Sequence, residues 1–210
     1  GLVGGLECLL CGGELGRDWH LAGQKAAKRN TWLDLVACAE HLAKAGHASP
    51  ARIALRGASA GGLAVVNAMA ARPALFRAVV SEVGFHDAIR GELAATGPAN
   101  VEEFGSVATT EGFRALLAMS AYANAADGVA YPAVLFTAGY SDPRVLPWDP
   151  GKMAARLQAA TTSEHPILLR LEQRAGHGAG KPMSKVLDEL VDSWSFVAAE
   201  LGIEWRGIRQ

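Results

Sequence analysis

The chain predicts an α/β fold: a mostly parallel sheet with helices on both faces. Apolar runs of strand length alternate along it with apolar repeats of helical period. The strand-like runs are short and almost wholly apolar, as expected of strands covered on both sides. The stretch "RGASAGGLAVVNAMAAR" (56–72) passes from strand to helix through a knot of small residues. With 210 residues, half of them apolar, the chain can close one core, and a single domain over residues 1–210 is expected.

The elements follow in order. "LVGGLECLL" (2–10) reads as a glycine-weakened strand, and "CGGELGRDWH" (11–20) as turn-rich. From Thr31, the residues Trp32, Leu35, Val36, Ala39 and Leu42 recur at spacings of three and four, one face of a helix. Thr31 with Asp34 resembles a capping box at its start, and Cys38 falls on the apolar side. "RIALR" (52–56) is a buried strand and "LAVVNAMAA" (63–71) the helix after it. "AVVSEVG" (78–84), "PAVLFTAG" (132–139) and "PILLRLE" (166–172) supply three more strands. The last helix carries Val186, Leu190, Val191, Trp194, Val197 and Leu201 on one stripe. Residues 85–131 break the rhythm with scattered Gly and Pro; they read as an excursion over the C-terminal edge of the sheet, where open parallel sheets place their ligands.

Composition narrows the partners. The net charge is −1, with Lys and Arg scattered among Asp and Glu, so neither a nucleic-acid nor a membrane surface is expected. No run approaches the roughly 20 apolar residues of a membrane span. Three cysteines outline no disulfide framework, and the single C-x-x-C of Cys8 and Cys11 reads as buried small residues rather than a metal or redox pair. There is neither a Walker lysine nor a G-x-G-x-x-G, so no nucleotide cofactor is expected, and no metal. A small or flexible substrate remains, in the cytoplasm by preference. The periplasm stays open because the chain begins "GLVGG", without Met.

Gly57-Ala58-Ser59-Ala60-Gly61 matches G-x-S-x-G between a strand and a helix. In that context the turn strains the serine backbone and pushes its hydroxyl outward; only small flanking residues let strand and helix approach. The Ala60 amide, at a helix start, then points to where a tetrahedral oxyanion would form. A serine hydroxyl needs a base, and the base needs an acid to orient it. The chain supplies both in the order Ser, Asp, His known for α/β-hydrolase folds. Asp142 follows one strand in "YSDPRV" and His177 follows the next in "RAGHGAG". Each has a plainer reading. Ser59 suits a phosphate loop, Asp142 before Pro143 a turn, and His177 a glycine-flanked loop. It is the three together that point to acyl transfer.

"CGGELGRDWH", "SPARIALRGASAGGL", "YPAVLFTAGYSDPRVLPW" and "RAGHGAGKP" together resemble the catalytic domain of the prolyl oligopeptidase family of serine peptidases, on its prolyl endopeptidase and oligopeptidase B side. The resemblance implies Ser59 as nucleophile, His177 as base, Asp142 as orienting acid and Arg144 as holder of a substrate carbonyl. It implies cleavage of short peptides through an acyl-enzyme. It also implies an upstream β-propeller packed on the active-site face and a tyrosine oxyanion donor from before residue 1, so that this chain is a C-terminal piece of a longer enzyme. Two departures stand out. The family's Arg-Gly-Gly-Gly-Glu is Leu10-Cys11-Gly12-Gly13-Glu14 here, and its proline-stacking tryptophan falls near Asn100. Glu102 and Glu103 offer a basic-residue preference instead, or are simply solvated carboxylates. A carboxylesterase of the same fold, and a catalytically weak truncated module, stay open as alternatives.

Overall fold

A computed structural model describes residues 12–178 and 181–204. The expected strand at 2–10 and the cysteines Cys8 and Cys11 lie outside the described residues. Among the described residues four strands, β1 (Ala54–Ala58), β2 (Ala78–Glu82), β3 (Ala133–Gly139) and β4 (Ile167–Glu172), form one sheet in the order β1-β2-β3-β4. All three pairings are parallel. Consecutive parallel neighbours require crossovers, which the helices supply.

The helices run in chain order. α1 (Arg17–Leu21) and α2 (Arg29–Lys44) precede the sheet, and α3 (Ala60–Ala71) leaves β1 directly. Short helices α4 (Val101–Phe104), α5 (Thr110–Met119) and α6 (Ala121–Asn124) lie between β2 and β3. α7 (Trp148–Ala160) joins β3 to β4, and α8 (Met183–Glu200) follows β4. None among the described residues is long and apolar enough to cross a membrane.

Alternation along the strands builds two cores. Val79, Val134 and Phe136 face α2, α3 and α7 in the larger one, with Leu63, Met69, Met153 and Leu157. Val80 and Leu135 face the other way, onto Val197 of α8. Leu157 is completely buried in the larger core. Leu157→Ala is therefore expected to cost about 2–5 kcal/mol through lost burial and the cavity left behind; a urea midpoint unchanged from wild type would contradict this packing.

Three sequence expectations are corrected. α2 starts at Arg29, two residues before the anticipated cap, and no side chain caps it; Thr31 is buried inside the helix. Cys38 is half-buried. On α8, Val191 and Trp194 are exposed, and Ser193 and Ala198 take the buried positions. The Arg56 guanidinium lies over the Trp194 ring, 5.7 Å from its centroid.

Candidate active site

The site forms where β1 turns into α3. Ser59 has φ 55° and ψ −120°, a conformation an L-residue adopts only when the surroundings impose it. They do so through three backbone bonds: Ser59 N–H donates to the Glu82 carbonyl at 2.9 Å, and the Ser59 carbonyl accepts from Gly62 at 2.9 Å and Phe85 at 3.2 Å. A Cβ on Gly57 would sit 2.3 Å from the Gly61 carbonyl oxygen, so only glycine lets α3 start this close to β1. Ala60 is the first residue of α3, where an amide has no acceptor within its own helix.

Asp142 sits just beyond β3, and His177 just beyond β4. The two loops are tied together, the Ser141 amide donating to the Ala175 carbonyl at 3.0 Å. Asp142 is buried; one carboxylate oxygen accepts from the Arg144 and Val145 amides at 2.8 and 3.1 Å. Its other oxygen lies 2.7 Å from His177 Nδ1. An ionised carboxylate only accepts, so Nδ1 carries the proton and Nε2 is left as the acceptor. Nε2 lies 2.9 Å from Ser59 Oγ. The three expected residues thus meet in one hydrogen-bonded chain, an arrangement that can move a proton off the serine as its oxygen attacks a carbonyl.

Beside Ser59 opens a cavity of about 220 Å³, roofed by the 85–131 excursion. Its apolar wall includes Phe85, Phe104, Leu116, Val145 and Trp148. Ala60, Asn100, Glu103 and Arg144 also line it. Asn100 is turned onto its own loop, its amide donating to the Thr96 carbonyl at 3.2 Å. Glu102 is not part of the lining; its side chain is 93% exposed, with Lys25 at 3.5 Å.

Sequence reasoning missed a buried polar cluster under the cavity. Asp149, at the start of α7, lines the cavity and accepts from the His86 amide at 2.9 Å and the Asp87 amide at 3.2 Å. Asp87 in turn pairs with Lys152 and Arg90. These contacts clamp the loop after β2 to the segment that follows Asp142. The only local signal was an acid in the first turn of a helix, which reads as simple dipole compensation.

Burial, with the Asp87 charge adding to it, pushes the Asp149 carboxyl up to about 7 against the amide bonds and Lys152. Burial pushes the neighbouring His86 down to about 3, so it stays neutral. An unfolded Asp149 would titrate near 3.8, so the folded state holds the extra proton between there and about 7. This group therefore subtracts stability as pH rises through that window, and subtracts it fully above it. Asp149→Asn keeps an acceptor oxygen and removes the charge. Its stability relative to wild type is expected to climb from pH 4 to 7 by on the order of 3 kcal/mol and then level off. A difference independent of pH, in parallel urea titrations, would contradict the assignment.

Comparison with known proteins agrees with this architecture. The profile described as the prolyl oligopeptidase family matches residues 10–204. Prolyl oligopeptidase A of Galerina marginata is 34% identical over 98% of this chain and 28% of its own. Prolyl endopeptidase of Elizabethkingia meningoseptica is 37% identical over 92% of this chain and 28% of its own. The structure of oligopeptidase B from Leishmania major superposes with a TM-score of 0.88 at 31% identity, covering 93% of this chain and 28% of that one. The chain thus spans little more than a quarter of the length of these relatives. With the profile matched over nearly all its residues, and the α/β-hydrolase sheet shared with solved members, this chain belongs to the prolyl oligopeptidase family.

Proposed function

We propose that the protein is a serine peptidase that hydrolyses short peptides through an acyl-enzyme. The observation that carries this reading is the Ser59–His177–Asp142 chain of hydrogen bonds, 2.9 and 2.7 Å long, at the edge of the cavity. Ser59 Oγ attacks the scissile carbonyl carbon while His177 Nε2 takes its proton. The resulting oxyanion accepts from the Ala60 amide. As the C–N bond breaks, Nε2 returns the proton to the leaving amine. Water then repeats the sequence on the ester, releasing the acid and restoring Ser59. Asp142 keeps the imidazole in the tautomer this requires and stabilises the imidazolium that forms.

Arg144 favours a peptide over a simple ester. Its side chain is exposed and lines the cavity two residues after Asp142, where a guanidinium can donate to a backbone carbonyl of bound peptide. Arg144→Met is expected to lower kcat/KM on a short peptide amide by about 10–100-fold, the worth of a hydrogen bond to a charged group. Hydrolysis of a nitrophenyl ester should change by less than about 3-fold. Equal losses on both substrates would favour the carboxylesterase reading.

In the intact protein, an upstream propeller lies over this face, restricts access to short peptides, and its adjoining segment supplies a second oxyanion donor. Two features support this. The relatives are more than three times as long as the chain, and Tyr140 stands 63% exposed between β3 and Asp142. A cytoplasmic setting fits cysteines too few to frame disulfides.

A further inference from the structure

The cavity wall carries charged side chains, and what matters for substrate choice is whether any carboxylate remains available to a cation. Glu103 does not. Lys28, whose side chain is only 4% exposed, donates to one of its oxygens. Gln24 donates to the other at 3.0 Å, and His20 Nε2 lies 3.2 Å away. Burial alone would push the Glu103 carboxyl up, but the Lys28 and Gln24 hydrogen bonds and the Lys28 charge hold it below the usual carboxylate range. The Lys28 ammonium also stands 5.1 Å over the Phe104 ring, itself part of the wall. The acid and the aromatic face that a basic side chain would seek are therefore already occupied by the protein's own cation.

The other wall carboxylates are held by hydrogen bonds. Glu92 accepts from the Ser106 hydroxyl at 2.8 Å and the Val107 amide at 2.5 Å. Arg90 pairs with Asp87 at 3.0 Å, and Asp149 is held by backbone amides. The wall carries Arg90 and Arg144 beside Glu92, Glu103 and Asp149, with Lys28 on Glu103 and Lys152 on Asp87 behind it, so cations match carboxylates in number around the cavity. A lysine or arginine side chain entering would leave water for an apolar wall on which Glu103 is already paired with a cation and both oxygens of Glu92 are held by Ser106 and Val107, which is costly.

Resting on the serine-peptidase reading, we propose that the cavity takes a neutral, apolar side chain from the residue before the cleaved bond, and that Lys28, by occupying Glu103, excludes a basic one. Proline satisfies this rule without being singled out by it, because Asn100 presents no ring to stack on.

The test uses peptidyl phosphonate diphenyl esters that differ only in that side chain, norleucine against lysine, with Ser59 modification followed by mass spectrometry. A small fluorophosphonate serves as control. If it fails to modify Ser59, the active-site reading fails, not the specificity. Where it does, the norleucine probe is expected to react about 100-fold faster than the lysine probe, the discrimination expected when a charged group is left unpaired. Equal rates, or a faster lysine probe, would overturn the proposal. In Lys28→Met the preference should shrink at least about 10-fold, and in Lys28→Met with Glu103→Gln it should return; Lys28→Arg should keep it. If Lys28→Met does not fold, Glu103→Gln decides. It leaves the Lys28 charge in place and must discriminate against lysine at least as strongly as wild type; lost discrimination there refutes the role of Lys28.

Discussion

Ser59→Ala is expected to lower peptide hydrolysis by about 10⁶ in kcat, with binding of the peptide little changed. The reason is geometric. Ser59 Oγ is the atom that His177 Nε2 faces at 2.9 Å, and alanine leaves the base with nothing to deprotonate but water. His177→Ala should cost about as much, because the two act as one unit and their losses do not add. Asp142→Asn separates orientation from loop structure. The asparagine oxygen can still accept from the Arg144 and Val145 amides, but its NH₂ group cannot accept from Nδ1–H. The imidazole is then driven to the wrong tautomer, with a loss of about 10⁴ at unchanged fold. A loss under about 10-fold in Ser59→Ala, measured on protein free of wild type, would remove Ser59 from the mechanism.

Gly139→Ala is expected to cost both activity and stability, although Gly139 touches no substrate. It ends β3, and a Cβ there would lie 2.5 Å from the carbonyl oxygens of both Ala175 and Gly176. Those oxygens are backbone, so the whole segment before His177 must move. Relief needs a shift of several tenths of an ångström, and His177 is in the next residue along. Overpacking of this kind costs about 1–3 kcal/mol. Misplacing the base by about 1 Å costs on the order of 10²-fold in rate. Unfolding in urea and single-turnover acylation measure the two effects separately; a variant with wild-type acylation would show that the contact between the two loops does not position His177.

What the sequence made visible follows from how local each signal is. β2, β3 and β4 lie within two residues of their apolar runs, since each run is bounded by Gly, Pro or a charge. β1 was displaced toward its C-terminus. Pro50 begins a 3₁₀ turn through Arg52, and the extended chain continues through Gly57 and Ala58, whose small side chains resemble a turn. Ser59, Asp142 and His177 were legible because each follows a strand end, and parallel strands carry their C-terminal ends to one edge. Lys28 with Glu103, and Asp149 with His86, were not. Their partners lie 75 and 63 residues apart, joined by the packing of the 85–131 excursion, and no periodicity encodes that contact. Glu102 and Glu103 looked alike as neighbours in sequence. On α4 they point apart, one toward Lys28 and the cavity, the other to solvent.

The whole mechanism depends on Ser59 being an activated nucleophile assembled within these residues. Its most direct test is to treat the chain with a fluorophosphonate and locate the adduct by mass spectrometry, with Ser59→Ala alongside. One phosphonyl group is expected, on Ser59, absent from the variant and slowed strongly in His177→Ala. Folded protein left unmodified, or modified equally well without Ser59 or His177, would contradict it.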